Sequence, residues 1–440
     1  MGMDLGKSKK QVIVYFAGWN LGRKEGVKGG EVASIPWEKV TSVNHAFWQV
    51  APADGSTETS FERKAAGKPA RKDFRIIPKD AYKDLEDETP SAIHPELPRN
   101  HFAEYAVYAQ KYPEVEIMIS VGGWTRCGYF SEMAYTKEGR QSCAASCVEL
   151  IKKYPWIGGI DIDWEYPTGS KNMDRLPGED DQDYDEGCPI FGTPEEDNAN
   201  FATFMEELRS ALDENFGVGK KKLTACAAGL IEGALANQDW PAAAIYLDTI
   251  NIMTYDLAGV WDGVTGHASS FQGTKKAAEY LLAQGIAAEK ICIGSPLYAI
   301  PFLLKNEDFT DVVGAPAETY KATLGEISQE KLLQAQEEAV SGFLTRKEEG
   351  RWVQEEAFDK GKKGWHFAYD ATAGAPYLYN DDAASPYYKW FLTYENQLSL
   401  QEKLDYVKER GIGGIIVWEC SEDTYNHDLI GQMAEVLLKK

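Results

Sequence analysis

Eight short apolar runs rich in β-branched residues recur along the chain, at 12–16, 42–47, 115–121, 159–164, 223–228, 249–253, 291–295 and 414–418. Stretches long enough to hold a helix separate them. Near-continuous apolar strands alternating with helices predict a parallel sheet buried on both faces. Eight such strands close into a ring, so the expected fold class is α/β, a (β/α)8 TIM barrel. Helical spacing of apolar residues at 138–154, 201–216 and 275–284 supports it. Thr193 and Pro194 read as the N-cap and first residue of the helix that includes 201–216. The segment 399–410 reads as a helix opened by a capping box, Ser399 with Glu402, and stopped by Gly411.

Three connections exceed a simple crossover. The stretch 51–99 is polar and charged, and 168–196 is acidic and rich in Gly and Pro, which predicts a surface loop. Both follow strand C-termini, the face where barrel enzymes keep their chemistry. The third, 302–388, has its own strand-like runs at 352–358, 365–369 and 377–379 and is long enough for a small α+β domain. The expected division is a barrel from 1–301 and 389–440, with an insertion domain at 302–388.

The fourth strand carries the strongest chemical signal. Side chains on a strand alternate faces, so Asp161, Asp163 and Glu165 share one side while Ile160, Ile162 and Trp164 share the other. An Ile/Ile/Trp row packs under helices, so the acids point into the barrel and climb toward its mouth. An acidic solvent face on an edge strand is the alternative, and the apolar flanks argue against it. Crowded, buried carboxyls raise at least one pKa, which leaves a proton donor at neutral pH. The third strand ends in Gly122, Gly123 and Trp124, where paired glycines permit a sharp turn. The sixth ends in Met253, Thr254, Tyr255 and Asp256, with Trp261 beyond.

Composition removes other classes. With 46 Lys+Arg against 69 Asp+Glu the net charge is −23, so nucleic acid and anionic membranes are repelled. No apolar segment approaches the ~18 residues of a membrane span. The polar segment 1–10 precedes a run too short for a signal peptide, so a cytoplasmic protein is expected, with secretion after removal of a leader as the alternative. The six histidines are scattered and lack H-E-x-x-H, so no metal is expected. Neither G-x-x-x-x-G-K-[ST] nor G-x-S-x-G occurs, and no cofactor is expected. Seven dispersed cysteines form no C-x-x-C pair and read as buried thiols. A monomer is expected.

In chain order, S-x-G-G at 120–123, D-x-D-x-E-Y-P at 161–167, M-x-Y-D at 253–256 and G-G-x-x-x-W at 413–418 together resemble glycoside hydrolase family 18, the chitinases. Tyr15-Phe16, the run 294–298, the run 375–380 and Trp418-Glu419 extend the likeness over nearly the whole chain, and the insertion resembles that of chitinases with deep clefts. Two positions depart. Gly158 stands where the family has the deepest aspartate of its acidic row, farthest from the chemistry. Strand seven reads Pro-Leu-Tyr-Ala-Ile where many relatives have P-F-Y-G-R, which removes an arginine contact to the sugar.

The resemblance implies roles. Glu165 is the general acid and later base, and the sugar's own 2-acetamido oxygen is the nucleophile, an exception to the two-carboxylate scheme of most glycosidases. Asp163 stabilises the acetamido N–H, with Asp161 sharing its proton. Tyr255 donates to the acetamido group and Asp256 binds nearby hydroxyls. Trp418 floors the reacting sugar; Trp124, Trp261, Met253, Tyr15 and Tyr298 bind substrate, and Trp19 and Trp48 also stand at strand ends. Trp164 belongs to the core by parity. The implied substrate is chitin or its oligosaccharides. The alternatives are an endo-β-N-acetylglucosaminidase acting on N-glycans or peptidoglycan, and a chitinase-like lectin that binds without cutting.

Overall fold

Eight parallel strands close on themselves in the computed structural model, which describes residues 10–19, 31–91, 93–168, 188–232, 234–319, 327–328, 345–348, 351–354, 362–424 and 426–439. In chain order the central sheet contains β1 (Gln11–Ala17), β2 (Ser42–Pro52), the short β3 (Phe74–Pro78), β4 (Glu116–Gly122), β5 (Ile157–Asp163), β6 (Lys222–Ala228), β7 (Thr249–Met253), β8 (Ile291–Pro296) and, last in sequence, a strand at Gly414–Trp418. β1 pairs in parallel with both β2 and Gly414–Trp418, and these two pairings complete the ring. The expected (β/α)8 barrel is present. Outward side chains such as Ile160, Ile162 and Trp164 join the large core between sheet and helices. A smaller cluster, including Tyr15, Phe47, Met253 and Tyr255, fills the barrel interior.

The connection 51–99 is more ordered than a charged loop: β3 folds back antiparallel onto β2, with Trp48 opposite Pro78. A second sheet holds β9 (Tyr298–Leu303), β10 (Ile327–Ser328), β13 (Trp365–Asp370), β14 (Ala375–Asn380) and β15 (Trp390–Thr393), while β11 (Thr345–Glu348) and β12 (Arg351–Gln354), among the described residues, pair with each other. β9 begins before 302 and β15 lies beyond 388, and the two pair with each other, so the strands of this sheet run from Tyr298 to Thr393. Most of the expected loop 168–196 lies outside the described residues.

Helix starts follow side-chain capping. Thr193 accepts from the Glu196 N–H with Pro194 at the first helical position, as expected. The helix Gln397–Arg410 is capped by Asn396, which makes Ser399 the third helical residue rather than the cap. An asparagine carbonyl oxygen satisfies the same orphan N–H groups as serine. Gly411, at φ 73°, closes that helix in the left-handed region. Among the described residues, no helix is long and apolar enough to cross a membrane.

Candidate active site

β5 aligns Asp161 with Ser120 on β4 and Thr224 on β6. Inward-pointing side chains of neighbouring strands then surround the Asp161 carboxylate. Tyr15 Oη and Ser120 Oγ donate to Oδ2 at 2.9 and 2.8 Å; Asn251 Nδ2 donates to Oδ1 at 3.2 Å, joined there by Thr224 Oγ1. These donors come from four strands, so Asp161 ties the barrel floor together. Asp161→Asn should cost about 3 kcal/mol, because an amide nitrogen then faces buried donors; urea unfolding measures this.

Asp163 sits one step nearer the mouth, 3 % exposed, with Oδ1 unpaired. Burial first, then the carboxyls of Glu165 and Asp161, push its pKa well above the carboxylate range, opposed by a contact with the Cys226 thiol. Asp161 therefore acts on Asp163 through its charge, with its own oxygens occupied by other donors. Glu165 follows the strand end, and its backbone N–H points at Cys127 Sγ, 3.2 Å away. Burial raises its pKa from 4.5 to about 8; Asp256 and Cys188 add to this and a hydrogen bond with Tyr166 opposes it. A carboxylic acid that keeps its proton at neutral pH can serve as a general acid.

Met253, Tyr255 and Tyr15 share one interior cluster, with Trp418 packed against it. Burial, then nearby Cys226 and the acids, raises the Tyr255 pKa well above 10, which leaves its O–H a donor. Asp256 stands at the rim with φ 54°, the left-handed region that Asp tolerates better than most residues. Strain at such a position marks a carboxylate aimed by the surrounding structure.

Tyr298 and Tyr15, expected to bind substrate, are placed next to the catalytic carboxyls. Both are nearly inaccessible, at 2 % and 1 % exposed. Tyr298 Oη donates to Asp256 Oδ1 at 2.7 Å, as Tyr15 does to Asp161. Their hydroxyls orient carboxylates, because a buried phenol needs a partner beneath the cleft surface. Trp48 is likewise buried, stacked on Phe102 at 5.5 Å. Trp164 is buried and stacked on Phe130. Trp124 and Trp261 stand 46 % and 57 % exposed. A side chain at Gly158 would begin 2.1 Å from Glu116 Oε2, so a carboxylate from the neighbouring strand occupies that space.

Sequence reading missed one cluster. Although the histidines are scattered in sequence, Asp84 Oδ1 lies 3.0 Å from His45 Nε2 and 2.8 Å from His101 Nδ1, and Trp48 Nε1 donates to Oδ2 at 3.1 Å. The three residues could hold a metal ion, but these are hydrogen-bond distances. The two histidines outweigh burial and hold the Asp84 pKa well below the usual range. No spacing motif announces this cluster, since it joins β2, the segment after β3 and a helix.

The sequence model of the glycosyl hydrolases family 18 matches residues 11–423. The chain belongs to that family. Chitinase A1 of Niallia circulans is 29% identical over 333 residues, 71% of this chain and 41% of that protein. A probable endochitinase of Orgyia pseudotsugata multicapsid polyhedrosis virus is 24% identical over 452 residues, covering 97% and 72%. The chain thus spans less than half of the first relative's length. The crystal structure of Ostrinia furnacalis Group IV chitinase matches with a TM-score of 0.72 at 22% identity, covering 98% of this chain and 100% of that one. A family 18 N-acetylglucosaminidase from Paenibacillus barengoltzii matches at 0.65 and 22%, covering 97% and 100%. At such identities the structural likeness concerns the fold.

Proposed function

We propose that the chain hydrolyses β-1,4-linked N-acetylglucosamine, as chitin or chito-oligosaccharides, with retention of configuration and assistance from the substrate's own amide. The observation that carries this reading is Glu165, a buried carboxyl with a pKa raised to about 8 at the barrel mouth, beside Asp163, whose pKa burial also raises. Relatives named as chitinases support the substrate class.

In the first step the Glu165 proton goes to the departing glycosidic oxygen while the 2-acetamido oxygen attacks the anomeric carbon, forming an oxazolinium ion. Asp163, through its unpaired Oδ1, accepts a hydrogen bond from the acetamido N–H as positive charge develops, and the Asp161 carboxylate stays held by its four donors. Tyr255 holds the acetamido oxygen and Trp418 covers the sugar's apolar face. Glu165, now a carboxylate, then takes a proton from water as the water oxygen bonds to the anomeric carbon and the bond from that carbon to the acetamido oxygen breaks, which restores the acetamido group and the acid.

The pH dependence follows. A raised pKa keeps Glu165 protonated up to about 8, so kcat/KM should fall about tenfold per pH unit above that point. The same shift links to stability: the contribution is full below the unfolded-state value of 4.5 and is lost as pH rises through about 8. Melting temperature should decline over that window in the wild type, and less in Glu165→Gln. Parallel activity and thermal-melt series check both.

Product analysis on N-acetylated oligosaccharides of defined length, run beside an N-glycopeptide, tests the function. Short N-acetylglucosamine oligomers are expected from the first and none from the second. Cleavage of the glycopeptide alone would transfer the machinery to N-glycan cores, and binding without cleavage would make the protein a lectin.

A further inference from the structure

The turn that carries Tyr255 and Asp256 is clipped on both sides to one short segment. Ser269 Oγ donates to the Thr254 carbonyl at 2.5 Å, and the Leu257 N–H donates to the Ala268 carbonyl at 2.9 Å. That segment is anchored in turn. The Ala268 N–H donates to Thr393 Oγ1, at the end of β15, at 3.0 Å, and Lys403 Nζ donates to Ser269 Oγ at 2.7 Å. Lys403 also pairs with Glu395, two residues beyond β15, and Ser295 Oγ of β8 donates to the same Glu395 oxygen at 3.0 Å. Both charged side chains are fully buried. We propose that the Lys403–Glu395 pair is a positioning device for the reaction, fixing the Tyr255–Asp256 turn through Ser269. The inference rests on the carbohydrate reading above, in which Tyr255 holds the acetamido oxygen.

Donor chemistry gives this chain of contacts a direction. An ammonium only donates, so Lys403 fills a lone pair of Ser269 Oγ and leaves the single hydrogen of that hydroxyl for the Thr254 carbonyl. Glu395 supplies the counter-charge without which a buried ammonium is strongly disfavoured. Burial lowers the Lys403 pKa, and Glu395 acts against that fall. Thr254 is gripped by its side chain as well: Oγ1 donates to the Gly294 carbonyl at 2.9 Å and accepts from the Gly294 N–H at 2.8 Å. With carbonyl and hydroxyl both held, the backbone enters Tyr255 in one orientation. Asp256 then stands at φ 54° with Tyr298 Oη on its carboxylate.

Stability alone does not account for the pair. Replacing a buried ion pair by well-packed apolar residues is often neutral or stabilising. An apolar pair, however, cannot aim the Ser269 hydrogen. Misplacing a reacting group by about 1 Å can cost about 10²-fold in rate, so a contact that sets a turn at the rim acts on catalysis without touching substrate. The second sheet thereby reaches the catalytic rim, with Thr393 and Glu395 as its points of attachment.

Kinetics on an N-acetylated tetramer, run well below each variant's melting temperature, test this. Ser269→Ala should lower kcat by about 10–100-fold with KM within about twofold, because the misaligned turn weakens contacts made in the transition state. Ser269→Thr keeps the hydroxyl and should recover most of that loss. Glu395→Leu combined with Lys403→Met strands neither charge, and should lower kcat by the same factor with a melting temperature close to wild type. An unchanged kcat in Ser269→Ala, a loss confined to KM, or equal losses in Ser269→Ala and Ser269→Thr would overturn the proposal while leaving the hydrolase reading intact. Full kcat in the double variant would overturn it too; if that variant fails to fold, the two Ser269 variants decide. A wild type that cleaves no N-acetylated oligomer would overturn the function reading itself.

Discussion

Glu165→Gln is expected to lower kcat on N-acetylated chito-oligosaccharides by about 10²–10⁴-fold, the usual worth of general acid catalysis, with KM changing far less. The amide preserves the shape of a side chain that is buried and proton-bearing at neutral pH, so binding contacts survive while the transferable proton disappears. Loss confined to kcat separates this from a packing defect, which would move KM and melting temperature as well. A substrate whose leaving group needs no protonation, such as an activated aryl glycoside, should recover much of the first-step rate. Full activity of the variant on the natural linkage would remove Glu165 from the mechanism.

Removing the acetamido group from the sugar should have a larger effect still. Well-oriented intramolecular nucleophiles reach effective molarities of about 10⁵–10⁸ M. No second carboxylate is assigned to attack the anomeric carbon: Asp161 is saturated by donors from four strands, and Asp163 ends the strand that Glu165 follows. Cello-oligosaccharides and fully deacetylated glucosamine oligomers should therefore show no hydrolysis above background, measured by reducing-end release beside an N-acetylated control. Cleavage of cellohexaose at a comparable rate would require an enzyme-borne nucleophile.

The barrel was legible because its strands are buried on both faces and so read as uninterrupted apolar runs. The acidic row was legible because period-two alternation assigns Asp161, Asp163 and Glu165 to one face without tertiary knowledge. What escaped depends on long-range contacts. β3 hides in a charged stretch because its Phe-Arg-Ile-Ile-Pro run gains its meaning only from pairing with β2. Tyr15 and Tyr298 look like cleft aromatics from their places on strands, yet a partner 146 residues away in one case and 42 in the other draws each hydroxyl under a carboxylate. Asn396 displaced Ser399 as a cap because either side chain can satisfy the same N–H groups. Asp84 gathered two distant histidines that no spacing rule connects.

The central claim is that a proton held by Glu165 releases the leaving oxygen while the sugar's amide attacks from the opposite face, so two successive displacements occur at one carbon. Proton NMR of the newly formed reducing end, recorded before mutarotation during hydrolysis of a short N-acetylated oligomer, reports this directly. The β-anomer should appear first and relax slowly to the equilibrium mixture. An initial product of α configuration would mean a single displacement by water, and would contradict the roles given to both Glu165 and the acetamido group.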